Sequence, residues 1–109
     1  MLATNVVAGR DEIDLIAVCP GPPECLVFVE VRSNVSGRFG APEESVAGRK
    51  LRRTYRAAFA LLHAGTLPGG PALPRLPWRV DVIVVEHGPS LGPDTGGPVV
   101  RHLRGVAPD

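Results

Sequence analysis

Two stretches near the start of the chain have the length and composition of β-strands. Residues 12 to 18 and residues 26 to 32 are apolar runs rich in β-branched side chains. The segment 19 to 25 between them, Cys-Pro-Gly-Pro-Pro-Glu-Cys, is typical of a turn or loop. Because this connection is so short, the pattern predicts an antiparallel hairpin.

A helical pattern follows a predicted loop at residues 33 to 41. Pro42 suits a first helical position, and Glu43 and Glu44 lie in the first turn, where the helix dipole favours acidic side chains. Apolar residues recur at the spacing of one buried helix face, at positions 51, 55, 58, 59 and 62. The helix is predicted to end near residues 63 to 65, before a Gly- and Pro-rich loop at 65 to 77.

The second half of the chain predicts two more strands. Residues 80 to 85 are apolar enough for a central strand, and residues 99 to 103 are typical of a short edge strand. The loop at 86 to 97 separates them. The order of elements predicts an α/β fold with a mixed sheet, in which the helix forms a crossover between neighbouring strands.

Length and composition narrow the class of protein. At 109 residues the chain is predicted to be a single domain, and its net charge of +1 does not by itself indicate a nucleic-acid partner. Eleven of its twelve basic residues are Arg, a bias that genomic base composition alone can produce. The sequence shows neither an apolar run of about 20 residues for a bilayer nor a secretory signal, so a cytoplasmic protein without membrane contact is expected. Cys19 and Cys25 are expected as reduced thiols.

The predicted hairpin places acidic residues opposite one another. If it is centred near Pro22, Asp14 faces Glu30 and Glu12 faces Arg32, all on one face of the two strands. Two carboxylates so close repel each other, and a divalent cation between them relieves that repulsion. The alternatives are that one carboxylate points to solvent, or that a shift of one residue sends the two acids to opposite faces.

These residues resemble a known family. The chain is similar to the YraN, or UPF0102, proteins, which resemble Holliday-junction resolvases of the PD-(D/E)xK nuclease superfamily. The resemblance covers nearly the whole chain, and the pair Glu-Ile-Asp-Leu-Ile-Ala and Phe-Val-Glu-Val is its most specific part. The matching positions are Asn5, 12–17, 26–32, Phe39, Gly40, Pro42, Glu44, Val46, Lys50, Arg53 and 79–82.

The resemblance implies a restriction-endonuclease-like core and a metal-dependent endonuclease that acts on branched or structured DNA. Asp14 and Glu30, with the main-chain carbonyl of Val31, would bind Mg²⁺ or Mn²⁺. Glu12 would ligate through water or pair with Arg32. By analogy with resolvases, which cut two strands, a homodimer is expected.

Three departures from the family favour an alternative, a catalytically degenerate nucleic-acid-binding module. Arg32 stands where the family has lysine, and because it stays protonated it cannot act as a general base, although it can orient water or stabilise charge. Asp11 replaces a glycine and adds a negative charge near the metal. The chain begins at about the first core strand, without the family's N-terminal helix, which usually supplies another acid; either the start codon is assigned too late or the protein lacks this helix.

The helix carries a second candidate feature. Its arginines form a stripe suited to phosphate groups, at positions Arg49, Arg52, Arg53 and Arg56. A solvated helix face is the alternative. Lys50 lies at the edge of this stripe and is an accessory candidate at the metal site.

No catalytic or metal-binding role is assigned to the remaining polar and aromatic residues. For Asp81 a structural role, accepting hydrogen bonds from Arg79 or a nearby loop, is favoured over metal ligation. Phe39 and Gly40 are expected to cover the site. The three histidines lie outside any motif, and the residues Tyr55, Phe59 and Trp78 are predicted to be in the core. A third hypothesis, a protein-interaction domain, rests on the near-neutral charge.

Overall fold

A computed structural model describes residues 1–35, 41–87 and 99–107. Within these residues the chain forms one sheet and one long helix. In chain order the elements are β1 (Ala3–Ala8), β2 (Asp11–Cys19), β3 (Cys25–Val35), α1 (Ala41–Ala64), β4 (Trp78–His87) and β5 (Val99–Leu103). Phe39 and Gly40, expected to cover the site, lie outside the described residues.

The five strands lie in the sheet in the same order as in the sequence. β3 and β4 are parallel, and the other neighbouring pairs are antiparallel. A parallel pair needs a crossover connection, and α1 provides it between β3 and β4. The predicted α/β fold, with its mixed sheet, hairpin and crossover helix, is confirmed.

The predicted hairpin register is confirmed for the loop half of the hairpin, whereas the predicted facing pairs Asp14–Glu30 and Glu12–Arg32 are not part of the ladder. In the antiparallel pair of β2 and β3, Leu15 faces Val29 and Cys19 faces Cys25. The prediction of a loop at 33 to 41 is wrong for its first residues, because β3 continues to Val35 along β4. β1 was not among the strands that the hydrophobic pattern predicted.

Strand alternation breaks in β1 and β2 at the same place. The ladder between them pairs Thr4 with Leu15 and Val6 with Ile13, and it skips the intervening Asn5 and Asp14. Asn5 has a φ of 50°, a left-handed conformation that Asn tolerates better than most residues. Ile13 and Ile16 are both fully buried although they are three positions apart, a spacing that strict alternation assigns to opposite faces. Because of this break, the side chains of Ile13 and Ile16 both point into the core.

The core lies between α1 and one face of the sheet. Phe28, Val80 and Val82 are among its buried strand residues, and the helix buries Leu51, Ala57, Ala58 and Leu61 against them. Small alanines at the centre of this helix face allow the helix to lie close to the sheet.

The prediction that Phe59 is a core residue is wrong, because its side chain is 56% exposed. The ring packs edge-on against Trp78, with ring centroids 5.3 Å apart, and leaves its other side in solvent. The buried helix face is centred on Leu51, Ala58 and Leu61, so Phe59 lies at its border. Tyr55 and Trp78 are half-buried and pack against the core.

Candidate metal centre and nucleic-acid interface

A polar pocket of about 760 Å³ opens between α1, the first residues of β2 and the middle of β3. It is lined by all the acidic candidate residues and by all the basic candidate residues of the helix. The lining residues are Arg10, Asp11, Glu12, Asp14, Glu30, Val31, Arg49, Lys50, Arg52, Arg53, Thr54 and Arg56. Carboxylates from the strands therefore face arginines from the helix across one opening.

Asp14 lies at the break in strand alternation, just beyond the last ladder pair of β2 and β3, which joins Leu15 to Val29. Its Oδ2 accepts a hydrogen bond of 2.7 Å from the backbone amide of Val31. The side chain thus occupies the position where the next strand-to-strand hydrogen bond would form. The bond fixes one oxygen of the carboxylate next to β3.

Glu30 is a buried acid on β3, 6% exposed, and both of its carboxylate oxygens have donors. The hydroxyl of Thr54 donates to Oε1 at 2.9 Å, and the guanidinium of Arg32 donates to Oε2. A buried carboxylate without such partners would be costly. Strand β3 supplies Arg32 and helix α1 supplies Thr54, so the carboxylate is anchored from two elements.

The predicted pairing of Glu12 with Arg32 is wrong. The ladder between β2 and β3 ends before it reaches these residues, and Arg32 forms its salt bridge with Glu30, two residues away on the same strand. The break at Asp14 separates the end of β2 from the regular hairpin, which explains the difference. Glu12 lines the pocket, and its accessory role stays a prediction.

The carboxylate oxygen atoms around the pocket suit a hard divalent cation. Among the described residues, no three His, Cys, Asp or Glu side chains are grouped to hold a metal ion. Mg²⁺ does not require such a group, because it binds through one or two carboxylates and keeps several waters. Each oxygen of Asp14 and Glu30 can accept more than one hydrogen bond or ligand, so the bonds from Val31, Thr54 and Arg32 do not exhaust them. These residues fit a cation with oxygen ligands.

The arginine stripe borders this pocket, as the helical spacing predicts. Arg49, Arg52 and Arg53 are exposed and line its helix side, next to the exposed Lys50. The structure therefore brings the predicted phosphate-binding residues and the predicted metal ligands together. Whether they bind nucleic acid stays a prediction.

Arg56, the last member of the stripe, is engaged within the protein. Its Nε and Nη2 donate to the two carboxylate oxygens of Asp11 at 2.7 and 2.9 Å. The hydrogen bond from Arg56 is the largest influence on Asp11 and holds the pKa of that carboxyl below its usual value. The same bond raises the pKa of Arg56. The charge of Asp11 is thus balanced by Arg56 instead of adding to the negative charge at the pocket.

Asp81 has the structural role that the sequence favoured. It is 1% exposed and accepts hydrogen bonds from Arg79, from the Gly105 amide and from His102, at 2.9, 2.9 and 2.8 Å. Burial raises the pKa of Asp81, but these three hydrogen bonds outweigh it and leave the pKa below its usual value. The contact with His102 was missed because no motif marks that histidine.

Thr54 is the site residue that the sequence analysis missed. It is 4% exposed and bonds directly to Glu30. Its position between Leu51 and Ala58 was an available signal, because helical spacing places residue 54 on the buried face. A buried hydroxyl there needs a hydrogen-bond partner.

Cys19 and Cys25 are free thiols. In the described part of the chain, no helix has the length and apolar character needed to cross a membrane.

Comparison with known proteins gives a consistent family match. The model of the uncharacterised protein family UPF0102 matches residues 1–85. A UPF0102 protein of Symbiobacterium thermophilum is 42% identical over 90 residues, which cover 83% of this chain and 69% of that protein. A UPF0102 protein of Anaeromyxobacter dehalogenans is 40% identical, with coverage of 94% and 66%. One of Streptomyces coelicolor is 36% identical, with coverage of 98% and 73%. No solved structure gives a significant match.

Proposed function

This chain belongs to the UPF0102 family, and from the residues of its polar pocket we propose that it is a metal-dependent endonuclease that hydrolyses phosphodiester bonds in branched or otherwise structured DNA. One observation supports this proposal above all. Asp14 and Glu30 line the same pocket as an arginine stripe, so oxygen ligands and phosphate-binding groups share one opening.

In this proposal the two acids hold Mg²⁺ or Mn²⁺, together with the main-chain carbonyl of Val31. When bound, such a cation activates a water molecule and polarises the scissile phosphate. The chain's own contribution is to position the ligands before the cation arrives. Val31 fixes Asp14 from the backbone, and Thr54 and Arg32 fix the two oxygens of Glu30.

The helix supplies the contact with the DNA backbone. Arg49, Arg52 and Arg53 bind phosphates, since a guanidinium grips a phosphate through two parallel hydrogen bonds. Lys50 lies beside them and adds a compact positive charge. Arg56 contributes less, because its Nε and Nη2 already donate to both carboxylate oxygens of Asp11.

The test is a cleavage assay on junction, flap and linear DNA with Mg²⁺ or Mn²⁺. We expect cleavage of a branched substrate that disappears on chelation and in Glu30→Gln and Asp14→Asn, while both variants still bind DNA. Glu24→Gln is the matched control, because Glu24 is an exposed acid in the loop at the opposite end of the hairpin. Cleavage that survives in Glu30→Gln would overturn the proposal.

A second candidate is a non-catalytic nucleic-acid-binding module, favoured by the contact between Arg32 and Glu30. That guanidinium already neutralises the buried carboxylate, as a bound cation would. Salt-dependent DNA binding without cleavage by the wild-type protein on any of the three substrates would support this module and overturn the endonuclease.

A further inference from the structure

Two cysteines face each other across the hairpin, at the end remote from the polar pocket. Cys19 is the last residue of β2, Cys25 is the first residue of β3, and the two are partners in the antiparallel register. Facing residues in such a pair have Cα atoms about 4.5 to 5.5 Å apart. A disulfide bond needs a Cα separation of about 4.4 to 6.8 Å, so the register is compatible with a disulfide between the two residues.

The surroundings of the two sulfur atoms differ. The guanidinium of Arg79, on strand β4 next to β3, lies near enough to both cysteines for their side chains to raise its pKa, and Cys19 has the larger influence of the two. The Cys25 thiol instead donates to the carbonyl of Leu26 at 3.7 Å. An adjacent positive charge and partial exposure are typical of reactive cysteines, and both cysteines are half-buried.

We propose that Cys19 and Cys25 are an oxidative modification site, a dithiol that forms a reversible intramolecular disulfide with a low-molecular-weight disulfide such as glutathione disulfide. The sulfur of Cys19 attacks one sulfur of the oxidant, which forms a mixed disulfide and releases one glutathione thiol. The sulfur of Cys25 then attacks the Cys19 sulfur and releases the second. The two cysteines lose two protons and two electrons in total, and the oxidant gains them as two thiols.

This site is independent of the proposed nuclease centre. Cys19 and Asp14 are five residues apart on β2, which corresponds to about 17 Å along a strand. The formation of this disulfide therefore does not depend on whether the pocket binds metal or DNA.

The test is a redox titration of the whole chain in buffers of reduced and oxidised glutathione, followed by acid quenching, alkylation and mass spectrometry. We expect a single transition from two alkylated thiols to none, without a glutathione adduct and reversed by dithiothreitol. In urea-denatured protein the same equilibrium is expected to be at least tenfold less favourable, or about 30 mV, because the hairpin no longer aligns the pair. Thiols that persist throughout, lasting glutathione adducts, or equal equilibria in both states would overturn the proposal.

Single substitutions provide the controls. Cys19→Ser and Cys25→Ser change one atom each, and both should stop at the mixed disulfide with glutathione. The thiol left in Cys25→Ser, which lies beside Arg79, should form this adduct faster than the thiol left in Cys19→Ser. A reversed order would overturn the assignment of Cys19 as the attacking residue.

Discussion

The backbone amide of Val31 donates a 2.7 Å hydrogen bond to the carboxylate of Asp14. This contact joins the two acidic strands where their regular pairing has ended, since Asp14 is one residue beyond Leu15 and Val31 is two residues beyond Val29. In the proposed metal site, the second oxygen of Asp14 and the carbonyl of Val31 would both be ligands. The proposed metal ligands are therefore positioned where the β2–β3 ladder stops, and the residues around them can be tested by substitution.

Replacing Thr54 with Val should weaken metal binding. The valine keeps the shape of the side chain but removes the hydroxyl that donates to Glu30 Oε1. Loss of a group that orients a metal ligand typically costs about 10-fold or more in affinity, and the free energy of unfolding should fall by about 1–3 kcal/mol. Isothermal titration with Mn²⁺ and urea unfolding measure the two effects.

Thr54→Ser is the matched control, because it keeps the hydroxyl and should retain Mn²⁺ affinity near that of the wild type. If wild type and Thr54→Val bind Mn²⁺ equally well, Thr54 has no positioning role.

Replacing Arg32 with Lys should preserve metal-dependent cleavage. The lysine ammonium can also donate to Glu30 Oε2, and it carries the same charge. Arg32→Met removes both charge and donor and should reduce cleavage strongly. Both variants are compared on the same branched DNA at saturating Mn²⁺. A large loss in Arg32→Lys would show that the planar guanidinium has an essential role of its own.

Replacing Asp11 with Ala should strengthen DNA binding. The change releases Arg56 from Asp11, so its guanidinium becomes available to phosphates. The slope of log K against log salt should then steepen by about 0.9, the value for one added phosphate contact. The double variant with Arg56→Gln should return to the wild-type slope. An unchanged slope in Asp11→Ala would mean that Arg56 lies outside the DNA-binding surface.

Replacing Asp81 with Asn should destabilise the protein in a pH-dependent way. The hydrogen-bonded pairing lowers the pKa of Asp81 below its unfolded value of about 3.9, so the stabilisation is present above that pH and is lost as pH falls through the folded pKa. The difference in unfolding free energy should be about 3 kcal/mol at pH 7 and shrink below about pH 4. Urea unfolding of both proteins across this range measures it, and a constant difference would contradict the assignment.

The sequence predicted the regular parts of the fold well. The position of the turn near Pro22 determined the hairpin register, and apolar spacing located α1. The break at Asn5 and Asp14 was not predictable, because strict alternation in β2 assigns Ile13 to the face opposite Ile16. The pairing of Glu12 with Arg32 failed for that reason.

The sequence also did not predict contacts between residues that are far apart in the chain. Nothing in the local sequence indicates that Arg56 meets Asp11, 45 residues away, or that His102 reaches Asp81. Phe59 was assigned to the core because its spacing fits, but the helix rotation that buries Ala57 and Leu61 leaves it at the border.

The left-handed Asn5 has a consequence for anyone who transfers this site to another protein. If β1 and β2 were regular extended strands at Asn5 and Asp14, Ile13 would point outward and the carboxylate of Asp14 would point elsewhere. A scaffold of regular strands could therefore not reproduce the buried Ile13 together with the position of Asp14. The irregular step between the first two strands must be copied along with the acids, as a unit that includes its asparagine.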